Sequence, residues 1–282
     1  EESDDVQGLP EASIAEGSVS EISKKENEID IMLIGVDNRD DKFTGRSDVL
    51  MYLRVDTEAK TIKLASFMRD TLVRIEGHDR NKLNTAFGFG STELLYDTLH
   101  DSFGLDPDYY VVVNFYGMED IIDAMGGVDI EIRSDELEWL NINIDEINKE
   151  ASGDADNIRT AGVHHLNGRQ AVAYMRIRHP GGDNGRIARQ QAVMYKLFGA
   201  ARDISAGQVP DLVGTLTQYV RTDMPAGTMI DLAKAVRGMS GDSLSTFRYP
   251  DDFVNSRYEG MAVVQPSNAD KEFEKLYNFL NS

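Results

Sequence analysis

The sequence predicts an α/β fold in which a mixed central β-sheet is layered between helices. Residues 31–36, Ile-Met-Leu-Ile-Gly-Val, form a continuous apolar run that is typical of a strand buried on both faces. Residues 49–55 and 61–65 have strand composition, and the turn-forming segment 56–60 between them indicates a hairpin. Strand and helix patterns alternate after it, which favours a layered sheet, and the hairpin makes that sheet mixed rather than purely parallel.

The other elements follow from apolar periodicity and from the residues that end each segment. Predicted helices cover residues 94–103, 117–125, 186–202, 211–220, 228–236 and 270–280, and predicted strands cover residues 109–115, 128–132 and 244–249. Gly126-Gly127 is expected to end the second helix. Residues 152–161 are predicted to be a loop, and a helix is expected to follow His164-His165.

Composition limits the partners of the chain. The 282 residues include 49 acidic and 29 basic side chains, a net charge of −20, and no cysteine. Such a surface repels nucleic acid and anionic membranes, so an anionic ligand requires a local concentration of Arg or Lys. The absence of cysteine excludes disulfides, thiolate metal sites and cysteine catalysis.

The first 28 residues differ from the rest of the chain. They hold nine acidic residues and two lysines with few bulky apolar groups, which predicts a disordered acidic linker at 1–28 and a single domain at 29–282. A frayed or vector-derived terminus is the alternative. No apolar run reaches the length that spans a bilayer, and the first residue is Glu rather than Met, which favours a processed or truncated chain.

Polar residues follow the buried strand at 31–36 and precede the next strand. Asp37 and Asp48 could share a hard cation such as Mg²⁺, which prefers oxygen ligands and keeps water and substrate phosphate in its shell. A solvated turn with local ion pairs explains the same residues. Arg69, at the end of the third strand beside Asp70, is a second weak candidate, because surface Arg–Asp pairs are common.

The window 174–190 carries the strongest signal for anion binding. If Arg176 and Arg178 are extended, their side chains lie on one side, and Arg186, Arg189 and Gln190 open the following helix, where positions three and four apart share a face. The Gly-rich turn between them allows backbone N–H groups to approach a ligand at the helix N-terminus. Guanidinium groups match phosphate oxygens, so the window predicts phosphate or pyrophosphate binding, although sulfate or carboxylate would require similar residues.

Three other features carry weaker hypotheses. Lys82 opens a Gly-containing segment that lacks the Walker pattern, so we interpret it as a turn leading into a helix. His164-His165 has no partner at metal-ligand spacing. Trp139, the one tryptophan, is predicted to be a packing residue.

Nine motifs taken together resemble one family. They are Leu33-Ile34-Gly35-Val36-Asp37, Gly45-Arg46-Ser47-Asp48, Met68-Arg69-Asp70-Thr71, Lys82-Leu83-Asn84, Val113-Asn114-Phe115, Asp123-Ala124-Met125-Gly126-Gly127-Val128, Leu166-Asn167-Gly168, Tyr174 to Arg178 and Gly182 to Gln191. In this order they resemble the LytR–CpsA–Psr family of cell-wall glycopolymer phosphotransferases. The similarity continues through Thr222-Asp223 and covers nearly everything after the predicted linker.

The resemblance implies specific roles for residues of this chain. Asp37 and Asp48 match positions that bind Mg²⁺, with Mn²⁺ able to substitute. The positions that match the lipid pyrophosphate site are Arg69, Arg176, Arg178, Arg186 and Gln190, and Lys82 and Arg46 are placed with them; Arg39 also falls beside the metal positions. Asp183 matches an acid of the site and, with Arg69, Arg176 and Arg178, belongs to the catalytic set. Asp183 or Asp37 could accept the proton of the attacking hydroxyl.

The function that the resemblance implies is transfer of a glycopolymer, such as teichoic acid or capsule, from a polyprenyl-pyrophosphate lipid to a peptidoglycan hydroxyl. An N-terminal anchor in the full-length protein would hold the domain at the extracellular face of the cytoplasmic membrane. A pyrophosphatase and a non-catalytic polyprenyl-lipid binder remain alternatives. A transcriptional regulator fits poorly, because the domain is strongly acidic and has no basic recognition helix.

Overall fold

The computed structural model describes residues 9–12, 22–36, 45–150 and 153–282. Asp37 and Arg39, which the sequence placed at the metal site, lie outside these residues. None of the helices within the described ranges combines the length and apolar character that a membrane span requires.

The described residues form twelve strands and eight α-helices. The strands are β1 Glu28–Val36, β2 Ser47–Asp56, β3 Thr61–Phe67, β4 Leu72–Arg74, β5 Arg80–Lys82, β6 Tyr109–Asn114, β7 Val128–Ile132, β8 Gly162–Leu166, β9 Val220–Thr222, β10 Leu244–Tyr249, β11 Phe253–Tyr258 and β12 Met261–Pro266. The helices are α1 Leu83–Phe103, α2 Phe115–Ala124, α3 Leu137–Glu150, α4 Gly168–Met175, α5 Gly182–Asp203, α6 Val209–Leu216, α7 Ala226–Arg237 and α8 Ala269–Asn281. The chain divides into two compact units, one reaching Val112 and including Ser245–Ser282, the other spanning Val113–Leu244.

The first unit is built on five strands of a six-stranded sheet, which lie in the order β10-β3-β2-β1-β6. β1 pairs antiparallel with β2, and β2 pairs antiparallel with β3, so the predicted hairpin is confirmed. Side chains of β1, β2 and β3 form one apolar core with Leu95 and Leu99 of α1 and Leu276 and Leu280 of α8. These helices bury the apolar stripe that their spacing predicts.

A buried ion pair crosses β1 and β2 in the same unit. Arg54 donates from Nε to Asp30 Oδ1 at 2.8 Å and from Nη2 to Asp30 Oδ2 at 2.7 Å, and its Nη1 donates to Ser23 O at 3.0 Å. Ser23 and Ile22, which is buried in the core, belong to the segment predicted as a linker. The linker boundary at residue 28 stays a prediction, since much of residues 1–28 lies outside the described ranges.

The second unit has its own core between helices α2, α3, α4 and α5 and the antiparallel pair of strands β7 and β8. Ile122, Leu140, Ile144 and Val172 are fully buried there. Gly168 opens α4 against α2 so closely that a Cβ at this position would lie 2.0 Å from the backbone oxygen of Glu119. Only glycine permits this approach.

Most predicted elements are confirmed, with shifted bounds. α1 begins at Leu83 rather than at residue 94 and is kinked where Gly90 and Ser91 leave helical geometry. The segment beginning at Lys82 is therefore mostly helix, not a turn. The condition that Arg176 is extended is not met, because its φ of −87° and ψ of −11° continue α4 by one residue. α3, β8 and the β11–β12 hairpin were not predicted.

Candidate functional site

The first group of candidate residues lies in the first unit, where β2 begins and β3 ends. Asp48 is the second residue of β2, and Arg69 follows β3 in a turn closed by Thr71, whose Oγ1 donates to Met68 O at 2.7 Å. The first N–H groups of a helix need partners outside it. Here Leu83 N donates to Thr71 O at 2.8 Å and Asn84 N donates to Arg69 O at 3.0 Å, which fixes the turn against α1.

Charged side chains of this group form a connected network. Arg69 Nη1 donates to Asp48 Oδ1, and Arg69 Nε lies 3.4 Å from Asp70 Oδ2. Lys82 Nζ lies 3.0 Å from Asp70 Oδ1. The four side chains are 17–20% exposed, so ligands can reach them, although the surrounding protein reduces their hydration. The structure thus brings together Asp48, Arg69 and Lys82, and Asp70, the acid beside Arg69 in the sequence, links Arg69 to Lys82.

Arg46 and Asn84 lie two positions from Asp48 and Lys82 in the sequence. Arg46 is exposed immediately before β2. Asn84 is 3% exposed, and its Oδ1 is buried without a hydrogen-bond donor in the described part of the chain. A buried carbonyl oxygen in this state costs about 1–3 kcal/mol unless a water or a cation satisfies it.

The second group lies in the second unit, between the end of α4 and the first turns of α5. Arg176 is the C-cap of α4, and its guanidinium carbon lies 5.1 Å from the centre of the Phe115 ring. This cation–π contact supports one face of the guanidinium and leaves its N–H edges for other partners. Arg178 is exposed.

The beginning of α5 places three more predicted residues. Arg186 and Gln190 are buried and lie four residues apart, on one face of the helix as predicted. Arg186 Nη2 lies 2.9 Å from Asp183 Oδ1, and the Asp183 side chain is one-third exposed. The acid is thus paired with a neighbouring arginine and still accessible from solvent.

Arg189, which the sequence grouped with the anion-binding arginines, turns inward and bonds to the protein itself. It is 3% exposed and donates from Nε to Glu136 Oε1 at 2.8 Å, from Nη1 to Ile177 O at 3.0 Å and from Nη2 to Pro180 O at 2.8 Å. We call Arg189 and Glu136 the clamp. It holds the carbonyl groups on both sides of Arg178 and His179, so it fixes the backbone that carries a predicted anion ligand.

Neighbouring residues leave space for the clamp and complete the hydrogen bonds of Glu136. A Cβ on Gly185 would lie 2.7 Å from Pro180 O and 2.9 Å from Arg189 Nη1, so glycine is required for this close approach. Glu136 is 2% exposed, and its Oε2 accepts from Arg133 N at 2.9 Å. Burial, and then the Glu136 carboxylate, raise the pKa of the Tyr174 hydroxyl, which stays neutral beneath the clamp.

Trp139 does not have the predicted packing role. It is 40% exposed on α3, and its ring centre lies 5.1 Å from that of the His179 imidazole. His164 and His165 lie in β8 and bond to Thr160 O and Asp129 Oδ1, respectively. In the described ranges, no three His, Cys, Asp or Glu side chains are grouped as a metal site.

Comparisons with known proteins identify the family of the chain. Regulatory protein MsrR of Staphylococcus aureus (strain COL) is 30% identical over 257 residues, which are 88% of this chain and 74% of that protein. The polyisoprenyl-teichoic acid–peptidoglycan teichoic acid transferase TagU of Bacillus cereus (strain AH820) is 32% identical over 223 residues, 77% of this chain and 67% of that protein.

Solved structures show the same fold. TagV of B. subtilis superposes with a TM-score of 0.73 at 25% identity and covers 92% of this chain and 99% of its own. The structure described as TagT bound to LI-WTA has a TM-score of 0.72 at 22% identity and covers 95% of this chain and 98% of its own. A sequence model of the LytR_cpsA_psr family matches residues 5–278, and the chain belongs to that family.

Proposed function

We propose that this protein transfers a glycopolymer from a polyprenyl-pyrophosphate carrier to a hydroxyl group of peptidoglycan, at the extracellular face of the cytoplasmic membrane. The observation that carries the proposal is the arginine-rich segment 176–190 in a chain of net charge −20, held in place by the clamp. The name of TagU, a teichoic acid transferase related to this chain over 77% of its length, supports the same chemistry.

The reaction forms one phosphorus–oxygen bond and breaks another. The acceptor hydroxyl oxygen attacks the phosphorus that carries the sugar, and the bridging oxygen leaves with the polyprenyl phosphate. Negative charge therefore grows on phosphate oxygens, and the protein accelerates the step by positioning and by stabilising that charge. The hydroxyl proton passes to a carboxylate, for which Asp183 and Asp37 are the proposed acceptors.

The second group supplies the residues for these oxygens. Arg178 is exposed and its backbone is fixed by the clamp, so its guanidinium can meet an oxygen that approaches from solvent. Arg176 presents its N–H edges while Phe115 covers one face. Arg186 and Gln190 add donors from α5, and Asp183 orients Arg186 at 2.9 Å. An anion that binds Arg186 would displace Asp183 from it. Asp183 would then be free to accept the proton of the attacking hydroxyl.

Arg69, Lys82 and Arg46 are proposed to contact phosphate oxygens as well. The network of Arg69, Lys82, Asp48 and Asp70 has two positive and two negative charges, so by itself it has little preference for an anion. A divalent cation at Asp48 would change this balance toward positive charge. We propose that Asp37 and Asp48 hold Mg²⁺, or Mn²⁺ in its place.

The described residues fit such a cation. Arg69 contacts Oδ1 of Asp48, and Oδ2 remains for a hard cation that prefers carboxylate oxygen. Among the described residues the buried Oδ1 of Asn84 has no donor, and a water molecule bound near Asp48 could supply one. When bound, the ion supplies positive charge to the pyrophosphate, and Arg69 and Lys82 provide the hydrogen bonds.

The test is a transfer assay with purified protein, a short lipid-linked glycopolymer and peptidoglycan fragments. Arg178→Ala is expected to reduce transfer by about 10²–10³-fold, the loss typical of removing one donor to a transition-state oxyanion. Arg159→Ala, which removes another exposed arginine of the same unit, is the matched control and should retain transfer. Unimpaired transfer by Arg178→Ala would refute the role of this residue.

The same assay separates the alternatives. Release of polyprenyl phosphate without an acceptor would show a pyrophosphatase, in which water replaces the sugar hydroxyl. Lipid binding without turnover at any concentration of Mg²⁺ or Mn²⁺ would show a binding protein. The name of MsrR describes a regulatory protein, but a net charge of −20 does not favour direct binding to nucleic acid.

A further inference from the structure

Two aromatic rings lie at the surface beside Arg178. Trp139, on α3, is 40% exposed, and His179, which follows Arg178 in the chain, is also exposed. Their ring centres are 5.1 Å apart with an angle of 40° between the planes. An exposed Trp of this size is unusual unless the ring has a partner, because Trp carries more apolar surface than other side chains.

The clamp ties together the two segments of backbone that carry the rings. Glu136 begins the helical turn that leads to Trp139, since Leu140 N donates to Glu136 O at 2.8 Å and Leu140 itself is fully buried. Arg189 joins Glu136 to the carbonyl groups of Ile177 and Pro180, which flank His179. The segments that carry the two rings are thus tied to one buried guanidinium, and little conformational freedom remains to be lost when a ligand binds.

The position of the pair limits what it can bind. Consecutive Cα atoms are about 3.8 Å apart, so the backbone of His179 lies next to that of Arg178, whose guanidinium is proposed to bind phosphate. In a glycosyl pyrophosphate the first sugar is bonded directly to that phosphate. A group bound by the rings while Arg178 holds the phosphate would therefore be this first sugar.

The chemistry of the rings agrees with a sugar. The face of an aromatic ring is electronegative, and the C–H face of a pyranose is weakly positive and apolar, so the two surfaces are complementary. Exposed Glu138 precedes Trp139 in the chain, and its carboxylate can accept hydrogen bonds from sugar hydroxyls. Asp135, four residues before Trp139, is paired through both carboxylate oxygens with Arg133, at 2.9 and 3.0 Å.

We propose that Trp139 and His179 form a platform for the first sugar of the lipid-linked donor, the ring bonded directly to the pyrophosphate. This assignment rests on the proposed transferase function. It adds a sugar-binding surface on α3 to the arginine site and makes the identity of the first sugar a determinant of donor binding.

The chain contains a single tryptophan, so tryptophan fluorescence, excited at wavelengths where tyrosine does not absorb, reports on Trp139 alone. We would titrate the protein, with Mg²⁺ present, with farnesyl pyrophosphate, with farnesyl pyrophosphate carrying one N-acetylglucosamine, and with chitotetraose as a phosphate-free glycan. The sugar-bearing probe is expected to change the emission and to bind about 3- to 10-fold more tightly than farnesyl pyrophosphate, the range expected for one aromatic contact.

Calorimetry on variants tests the assignment. Trp139→Leu and His179→Ala are expected to remove the affinity difference between the two pyrophosphates, and Trp139→Phe to retain part of it. Ile142→Ala is the matched control, since Ile142 is equally exposed on the same helix, and it should retain the full difference.

Four results would overturn the platform. The first is an affinity difference that survives in Trp139→Leu. The second is a change in emission caused as strongly by chitotetraose as by the sugar-bearing probe, which would assign the rings to the acceptor glycan. The third is a folded protein that binds neither pyrophosphate, which would reject the proposed function and the platform with it; equal binding of both pyrophosphates would reject the platform alone.

Discussion

Removing Arg189 tests whether the clamp holds the Arg178 backbone. In Arg189→Ala, the Glu136 carboxylate, 2% exposed, loses its hydrogen-bonded guanidinium and keeps the more distant Arg133 Nη1 at 3.8 Å, and the carbonyl groups of Ile177 and Pro180 lose the bonds from Arg189. Breaking a buried ion pair by removing one partner costs about 3–5 kcal/mol. At about 2–4 °C per kcal/mol, the melting temperature is expected to fall by about 6–20 °C.

Three further variants separate the parts of the clamp. Arg189→Lys keeps the charge but has a single nitrogen, which cannot reach Glu136 and both carbonyl oxygens together, so it should recover only part of the stability. Glu136→Gln removes the charge and retains the shape. The double variant Arg189→Ala/Glu136→Gln should lose less than the sum of the two single losses, with a coupling of about 1–3 kcal/mol.

The assay is urea unfolding combined with hydrogen exchange of a peptide covering residues 176–186. Exchange in this peptide should become faster in Arg189→Ala, because the loop loses two hydrogen bonds to the guanidinium. Arg202→Ala, at the other end of α5 where the guanidinium is paired with Asp203 at the surface, is the control and should leave both readouts unchanged. Equal stability of Arg189→Ala and the native protein, or unchanged exchange in the loop, would refute the clamp.

Further predictions concern residues outside the clamp. Arg178→Ala should change the free energy of unfolding by less than about 0.5 kcal/mol, as is usual for an exposed side chain, so a large loss would show a structural role in place of the proposed catalytic one. Gly168→Ala should destabilise the protein by about 1–3 kcal/mol because its Cβ meets a backbone oxygen at 2.0 Å; a chemical-denaturation curve that matches the native one would contradict this packing. The hydrogen bond to Asp129 raises the pKa of His165, so this pair stabilises the fold below the ordinary pKa of 6.5 and loses its effect as the pH rises through the higher folded value. In NMR titration, Asp129→Asn should return the His165 pKa toward 6.5, and an unchanged pKa would exclude Asp129 as the cause.

The sequence was sufficient where local periodicity and burial agree. Residues 31–36 are apolar without interruption because β1 lies inside the sheet, and the β2–β3 hairpin follows from two strand patterns around a turn. α5 was predicted because Ile187 and Val193 are buried at helical spacing. Gly126 and Gly127 end α2 with φ of 90° and 83°, which glycine adopts at little cost.

α3 was missed although its pattern is present. Leu137, Leu140, Ile144 and Ile147 follow helical spacing toward the core, but exposed Trp139 and Ile142 place apolar residues on the opposite face. A periodicity argument assumes that exposed positions are polar. Trp139 and Ile142 break this assumption. The proposed sugar platform would account for the exposure of Trp139.

The sequence indicates the composition of the proposed site but not how its arginines divide between binding the protein and facing solvent. Four arginines within residues 176–189 stand out against a net charge of −20, and that contrast alone indicated anion binding. Nothing in the spacing shows that Arg189 turns inward, since it stands beside Gln190 and three residues after Arg186. Its role depends on where the carbonyl oxygens of Ile177 and Pro180 lie, and those positions are set by tertiary structure.

This division explains how an acidic protein can present a cationic site. An arginine binds a ligand only if its guanidinium is not already satisfied by the protein and its backbone does not move away when an anion arrives. Arg189 does not satisfy the first condition. Its three hydrogen bonds go to Glu136 and to two carbonyl oxygens, so its guanidinium is not available to a ligand. Because Arg189 bonds to Ile177 O and Pro180 O, it fixes the backbone of Arg178, and the guanidinium of Arg178 remains exposed to solvent. The affinity of the second group for an anion should therefore depend on a residue that never contacts it, and a variant of Arg189 that folds should bind pyrophosphate more weakly even with Arg178 intact.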